Sequence, residues 1–126
     1  MQRSLSFAAA ISFLACTQAL AQQLTAADFQ KAVKNKNVSL SCADGTNGSG
    51  KYTMPGRSGI IKGSYMRPGV AAMADVGQVS AQGESLCIKF KMLNGGDEKC
   101  FGVSQTGAST YKLSTAGFTA CTIAAR

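Results

Sequence analysis

The chain has 126 residues, with thirteen basic and six acidic side chains, five cysteines and neither histidine nor tryptophan. The lack of histidine removes the commonest general base and the commonest metal ligand, and no other catalytic motif stands in its place. The sequence therefore predicts neither an enzyme nor a metal or cofactor, and its scattered basic residues make nucleic-acid binding an unfavoured function.

The first 21 residues have the pattern of a secretory signal peptide. Arg3 precedes an apolar run from 5 to 15, and an Ala-Leu-Ala sequence ending at Ala21 fits a signal-peptidase site. The run is too short to cross a membrane as a helix. We therefore expect cleavage after Ala21 and a periplasmic or secreted product, with residues 22–126 forming one domain. The alternative is an outer-membrane lipoprotein anchored through Cys16.

Removal of this signal leaves twelve basic and six acidic residues, a net charge of +6. A basic surface attracts anionic partners such as lipopolysaccharide, peptidoglycan, a phosphate-bearing polymer or an acidic protein. The same charge also keeps a small exported protein soluble without any partner. The sequence leaves both interpretations open.

Residues 24–36 are the one stretch with good helical patterning. Thr25 and Asp28 have the spacing of an N-terminal capping box, and Phe29 and Val33 lie four residues apart. We expect a helix that lays these two apolar side chains over an open end or edge of a sheet.

From residue 38 onward, short alternating runs are separated by turn sequences, the pattern of an all-β protein built as an antiparallel sandwich or small barrel. Residues 43–50 are predicted to be a loop. The overlapping segment 45–51 approaches a phosphate-binding P-loop, but Tyr52 follows where that motif needs Ser or Thr. Strands are predicted at 38–42, 51–54, 59–66, 70–79, 110–113 and 118–123, with 70–79 the segment closest to helical composition.

The stretch 85–104 predicts a central hairpin, with alternating apolar residues on both arms and an Asn-Gly-Gly turn. Two registers are open. A two-residue turn places Lys89 opposite Cys100, whereas a four-residue loop at 92–95 places Cys87 opposite Cys100. Both registers keep the same side chains on the core face, namely Ile88, Phe90, Phe101 and Val103.

Four cysteines remain after export, and an even number in an oxidising compartment predicts two disulfides. Three pairings are open. The hairpin favours Cys87 with Cys100, which leaves Cys42 with Cys121 to join the first strand to the last. A zinc site is the rival interpretation, but the chain has no C-x-x-C pair.

The leading functional hypothesis is a non-catalytic exported binding protein with a basic surface. Its candidate contacts with an anionic partner are Lys89, Lys91 and Lys99, which are expected on or near the cysteine-bearing face of the hairpin. The alternative for these lysines is a solvated outer face without a ligand.

A small secreted hydrolase or toxin is the second hypothesis. It requires a cleft that gathers Asp44, Asp75 or Glu84 beside a serine or lysine, whereas carboxylates scattered over the surface count against it. No spacing in the sequence brings these residues together.

Several short motifs occur together in the second half of the chain. They are Gly77–Ser80, Leu-Cys-x-Lys-Phe at 86–90, Gly-Gly-x-Glu-x-Cys-Phe-x-Val at 95–103, and Gly107 with Tyr111 and Leu113. This pattern resembles uncharacterised small secreted proteins of Gram-negative bacteria that carry a domain of unknown function. Gln78 or Val79 stands where that family has a tryptophan. The family has no known activity, so the resemblance implies the β fold and the Cys87–Cys100 pair only.

Overall fold

The structure, a computed structural model, describes residues 22–126. The predicted signal peptide, its cleavage after Ala21 and the alternative acylation of Cys16 therefore lie outside the described residues. Between Gln22 and Arg126, no helix is long and apolar enough to cross a membrane.

The described chain is mostly β-strand, with one α-helix, α1 (Ala26–Val33), and one short 3₁₀ turn (Leu93–Gly96). The strands are β1 Gln22–Leu24, β2 Asn37–Cys42, β3 Asn47–Thr53, β4 Gly59–Arg67, β5 Val70–Gln82, β6 Ser85–Phe90, β7 Glu98–Gln105, β8 Thr110–Thr115 and β9 Phe118–Ala125.

Strands β2 to β9 form a closed up-and-down barrel. Each strand pairs antiparallel with the next along the chain, and β9 pairs with β2 to close the ring. The short β1 pairs with the end of β7, from Val103 to Gln105, beyond the last pair of β6 with β7 at Leu86 and Phe101. The predicted all-β class is confirmed, and of the two predicted architectures the barrel is the one observed.

Helix α1 covers one end of the barrel, which we call the helix end. Thr25 caps the helix, its hydroxyl accepting a hydrogen bond of 3.1 Å from the Asp28 N–H, as the sequence predicts. The buried Phe29 and Val33 point into the barrel, and the Phe29 ring meets Tyr111 edge-on with 5.0 Å between centroids. The predicted role of the helix is confirmed.

The helix is shorter than the predicted span of 24–36. Lys34 has left the helical conformation, and Asn35 adopts a φ of 62° that reverses the chain. The Asn35 N–H then donates to the carbonyl of Tyr52 at 2.9 Å, so the chain is already joined to β3 at this point. Pairing with β3 ends the helix where local composition alone favours its continuation.

Both ends of the described chain lie at the helix end. Gln22 pairs with Gln105, the last residue of β7. Arg126 and Asn37 exchange two backbone hydrogen bonds of 2.8 and 2.9 Å at the start of β2. Gln22 and Arg126 are therefore on the opposite side of the barrel from the 3₁₀ turn that links β6 to β7.

Both predicted disulfides are confirmed. Cys87 and Cys100 lie directly opposite each other on β6 and β7, and Cys42 and Cys121 do the same on β2 and β9. The observed hairpin register is the one that pairs the cysteines directly. The connection is longer than either predicted turn, because the ladder ends at Lys89 and the 3₁₀ turn follows.

The loop predicted at 43–50 is wrong from Asn47 onward, because β3 begins there. Residues 48–50 are glycine and serine, which lack the alternating apolar pattern that indicates a strand. Gly50 lies opposite Gly63 on β4, and a Cβ added at Gly50 would lie 2.6 Å from the Lys62 carbonyl oxygen. The two backbones approach so closely that glycine is required here, and the near-P-loop segment is part of the barrel wall.

Candidate functional site: the barrel cavity

The interior of the barrel holds a cavity of about 370 Å³, which we call the barrel cavity. All eight barrel strands and the helix contribute to its walls, and the lining side chains are mostly apolar. Eight-stranded barrels have interiors that are either filled by side chains or wide enough for one small ligand. A volume above roughly 300 Å³ lies in the range of small-molecule sites.

The cavity exists because the interior is filled only at the helix end. The inward residues there are buried, namely Val38, Tyr52, Val79, Leu86, Val103, Tyr111, Leu113 and Ile123. The next inward residues are only partly buried, although they face away from bulk solvent, namely Leu40, Ile61, Ile88, Phe101 and Cys121. The inward glycines of β3, β4 and β5 do not line the cavity, because neighbouring backbone or side-chain atoms lie close to where a Cβ would stand, namely at Gly48, Gly50, Gly63 and Gly77.

The floor of the barrel cavity is formed by α1. Phe29 and Val33 face it, and the side-chain amide of the buried Gln30 donates to the Val79 carbonyl at 3.2 Å, fixing the helix to β5. Burial raises the pKa of the Tyr52 phenol, an effect that the nearby Gln30 amide partly opposes. Tyr52 also packs directly against Gly59, where no side chain would fit.

The opposite end of the barrel, which we call the mouth, opens to solvent. It is lined by side chains from the β2–β3 turn, the end of β4, the 3₁₀ turn, the start of β7 and the β8–β9 turn. The polar and aromatic residues among them are Asp44, Thr46, Arg67, Asn94, Lys99, Thr115 and Phe118.

The 3₁₀ turn is fastened across the mouth by the carboxylate of Asp75. This side chain points inward from β5 and accepts hydrogen bonds from the backbone N–H groups of Val76, Met92 and Leu93, at 2.8, 3.2 and 2.9 Å. Leu93 is buried as a result and covers part of the cavity. Asp75 is therefore a structural clamp for the segment that borders the mouth.

The acidic residues named for a hydrolase do not form one cleft. Asp44 lies in the β2–β3 turn at the mouth, Asp75 holds the 3₁₀ turn, and Glu84 lies in the β5–β6 turn at the helix end. The Thr46 N–H donates to the Asp44 carboxylate at 2.9 Å. That hydrogen bond, with a smaller contribution from the Arg67 charge, lowers the pKa of Asp44 below its ordinary value of 3.8.

The three candidate lysines do not share one face. Lys89 points outward on the cysteine-bearing face, opposite Glu98, and Lys91 is exposed just after β6. Lys99 lies opposite Ile88 on β7 and lines the mouth, on the inward face rather than the expected cysteine-bearing face. The sequence does indicate this direction, because Lys99 lies two residues before the inward Phe101 and alternate strand residues share a face.

Sequence reasoning missed Arg67. The Arg-Pro-Gly sequence at the end of β4 indicates only that a strand ends there. Arg67 continues the inward alternation of Gly63 and Tyr65 along β4, and its side chain lines the mouth. The Arg67 guanidinium donates from Nη2 to the Asn94 side-chain oxygen at 3.1 Å. Its Nε is buried and has no hydrogen-bond partner within residues 22–126.

Large hydrophobic side chains are exposed near the mouth. The large hydrophobic side chains that are exposed in the described chain all come from the mouth half of the barrel, namely Met66, Val70, Val76, Met92 and Phe118. We call these residues the apolar rim.

One group of side chains has the spacing of metal ligands. Ligand atoms of Cys87, Glu98 and Cys100 lie within 4.8 Å of one another. Both sulfur atoms are bonded to each other in the disulfide, so neither is a thiolate ligand in this oxidised state.

Comparison of the chain with protein-family models, with curated protein sequences and with solved structures found no match. The resemblance to small secreted proteins of Gram-negative bacteria stays a prediction. The functional argument for this chain rests on the barrel cavity and its mouth.

Proposed function

We propose that this protein is a non-catalytic exported binding protein that holds one small apolar ligand inside its barrel. The observation that carries the proposal is the apolar cavity of about 370 Å³, with a floor of helix residues and a mouth open to solvent. A concave apolar site with a few polar groups at its edge is the usual form of a small-molecule site.

Burial of the ligand drives the binding. Each Å² of apolar surface that the ligand removes from water contributes roughly 25 cal/mol, and the cavity walls supply apolar surface on every side. The barrel is closed by hydrogen bonds around its ring and by a disulfide between its first and last strands. A site preformed in this way loses little conformational entropy on binding.

Export is supported by the cysteines. Two disulfides in a chain of this size are typical of an oxidising compartment, in agreement with the signal peptide predicted from the sequence. We place the contacts with an anionic partner at the entrance of the cavity and not on the outer face of the hairpin. The outward Lys89 lies opposite an acid, whereas Lys99 and Arg67 lie at the entrance of the cavity.

The proposal is tested with N-phenyl-1-naphthylamine, a neutral apolar dye that fluoresces when removed from water. We expect saturable binding of one dye per protein. The variant Ile88→Trp fills the cavity and should weaken dye binding at least tenfold. The matched variant Lys89→Trp adds the same ring to the outer face of the same strand and should leave binding unchanged.

Equal dye binding by both variants, with circular dichroism confirming that both are folded, would contradict an internal site. Native mass spectrometry of the exported protein provides a second measurement, in which a retained ligand appears as a mass above that of the oxidised chain.

A further inference from the structure

We propose that the ligand is an amphiphile with an anionic head group, whose tail occupies the barrel cavity and whose head group binds Arg67 and Lys99 at the mouth. This inference rests on the proposed function and adds the chemical class of the ligand. A carboxylate and a phosphate monoester are the two head groups that fit it, since both are compact anions with several acceptor oxygens.

Arg67 supplies the more specific contact. It is the last residue of β4, half-buried, with one Nη2 hydrogen bond to Asn94 and a buried Nε that has no partner within the described chain. A buried donor without an acceptor is unfavourable, and a guanidinium fork matches the paired oxygens of a carboxylate or phosphate. An anion in the mouth would accept hydrogen bonds from the Arg67 N–H groups that do not donate to Asn94.

Lys99 supplies a second positive charge on the same inner face. Its neighbour across the ladder is Ile88, a wall residue of the cavity, and the side chain itself is exposed at the mouth. A lysine in this position lays its methylene stem along the apolar wall while its ammonium group stays in water. The Lys99 ammonium group therefore lies at the mouth, where the head group of a bound amphiphile would leave the cavity.

The charge balance of the mouth favours an anion. Among the described residues that line the cavity, Arg67 and Lys99 are basic and Asp44 is the acidic one. The Asp44 carboxylate accepts a hydrogen bond from the Thr46 N–H, and the inward Asp75 carboxylate behind the 3₁₀ turn accepts hydrogen bonds from three backbone N–H groups. Low-dielectric walls around such a mouth focus its positive potential on the opening.

The cavity volume sets the size of the tail. At ~30 Å³ for each water-sized group, a cavity of about 370 Å³ holds roughly a dozen such groups. A chain carbon is of similar size, so a single unbranched tail of about ten to twelve carbons matches this volume.

The test is displacement of N-phenyl-1-naphthylamine by four ligands with the same twelve-carbon tail, each below its micelle concentration. They are dodecanoate, dodecyl phosphate, dodecanol and dodecyltrimethylammonium. We expect the two anions to bind at least tenfold more tightly than the alcohol and the cation, because charge-assisted hydrogen bonds are the strong ones. The ratio of dodecanoate to dodecyl phosphate distinguishes the two head groups.

The variants Arg67→Met and Lys99→Met keep an apolar stem and remove the charge. Each should weaken dodecanoate binding about tenfold while leaving dodecanol binding unchanged. The control Arg57→Met removes an exposed charge in the β3–β4 connection and should change neither.

The outcomes separate the two proposals. Binding of the dye and of all four ligands with equal affinity, insensitive to these variants, would overturn the anionic head group and leave the internal apolar site intact. Tightest binding of the cation would also overturn it. If the dye does not bind at all, the internal site itself is refuted. Should Arg67→Met fail to fold, the four-ligand series on the unmodified protein still decides the question.

Discussion

The carboxylate of Asp75 accepts a hydrogen bond of 2.9 Å from the backbone N–H of Leu93, eighteen positions further along the chain. Through this contact a residue on β5 holds the 3₁₀ turn against the mouth. We expect Asp75→Asn to lower the free energy of unfolding by roughly 1.5–3 kcal/mol, the range for hydrogen bonds to a charged group. Urea unfolding measures the loss, and Asp97→Asn, in the exposed segment after the turn, is the control.

The same substitution addresses the hydrolase hypothesis. If Asp75 only holds the turn, Asp75→Asn should change stability and ligand entry but abolish no chemical activity. Loss of a hydrolytic activity without loss of stability would contradict the structural role assigned to Asp75.

Gly59 and Tyr52 predict a steric effect. A methyl group at Gly59 would overlap the Tyr52 ring, so Gly59→Ala should destabilise the protein by roughly 1–3 kcal/mol, as overpacking does. The added methyl should cost much less in a Tyr52→Leu background. A double-mutant cycle measured by urea unfolding gives the coupling, and Gly56→Ala, where nothing lies within 4 Å, is the control.

The β8–β9 turn contains a residue in an unfavourable conformation. Ala116 has a φ of 49°, which a side chain with a Cβ tolerates poorly, and Gly117 follows at 75°. We expect Ala116→Gly to stabilise the protein by about 0.5–1 kcal/mol and Gly117→Ala to destabilise it by a similar amount. A shift of both unfolding midpoints in the same direction would contradict the assigned turn conformation.

The Asp44 carboxylate predicts a pH dependence. Its pKa is lower in the folded chain than the ordinary 3.8, so its contribution to stability is fully present above that value and is lost as the pH falls through the folded pKa. Asp44→Asn should therefore lower the urea midpoint more at pH 7 than at pH 2. Glu84→Gln, in an exposed turn at the helix end, is the matched control, and a constant difference at both pH values would exclude this linkage.

The two disulfides should contribute unequally. Cys42–Cys121 spans 79 positions and Cys87–Cys100 spans 13, so loss of chain entropy predicts about 4.5 kcal/mol for the first and about 3 kcal/mol for the second. Paired cysteine-to-alanine variants compared by thermal unfolding measure the difference. The opposite order would indicate that packing around Cys87, which is buried, outweighs the chain-entropy effect.

Local patterning predicted much of the fold. Alternation on 38–42 and along the hairpin, the Thr25 cap and the even cysteine count each reflect short-range chemistry, and each is confirmed by the structure. The first half of the strand at 47–53 was missed because its inward positions, Gly48 and Gly50, are glycines, whose requirement comes from contact with β4. The choice between sandwich and barrel was open because β9 meets β2 across the whole chain.

The candidate site was much harder to predict. A cavity is a deficit of side-chain volume among residues far apart in sequence, such as Leu40, Ile88 and Phe101, and no local pattern records it. Arg67 was missed because it is the last residue of β4, beside a β-bulge in the pairing with β5, and only the structure shows that it continues the inward face of β4. The sequence did indicate Lys99 as an anion contact, but it placed this lysine on or near the cysteine-bearing face and not on the inward face.

The positions of the chain ends have a practical consequence. Gln22 and Arg126 both lie at the helix end, and the mouth with its apolar rim lies at the other. A protein immobilised on a sensor chip or bead through residue 126 would present its opening to the flowing solution. A fluorescent protein or purification tag fused at residue 126 would sit behind the floor of the barrel, where it does not obstruct the entrance.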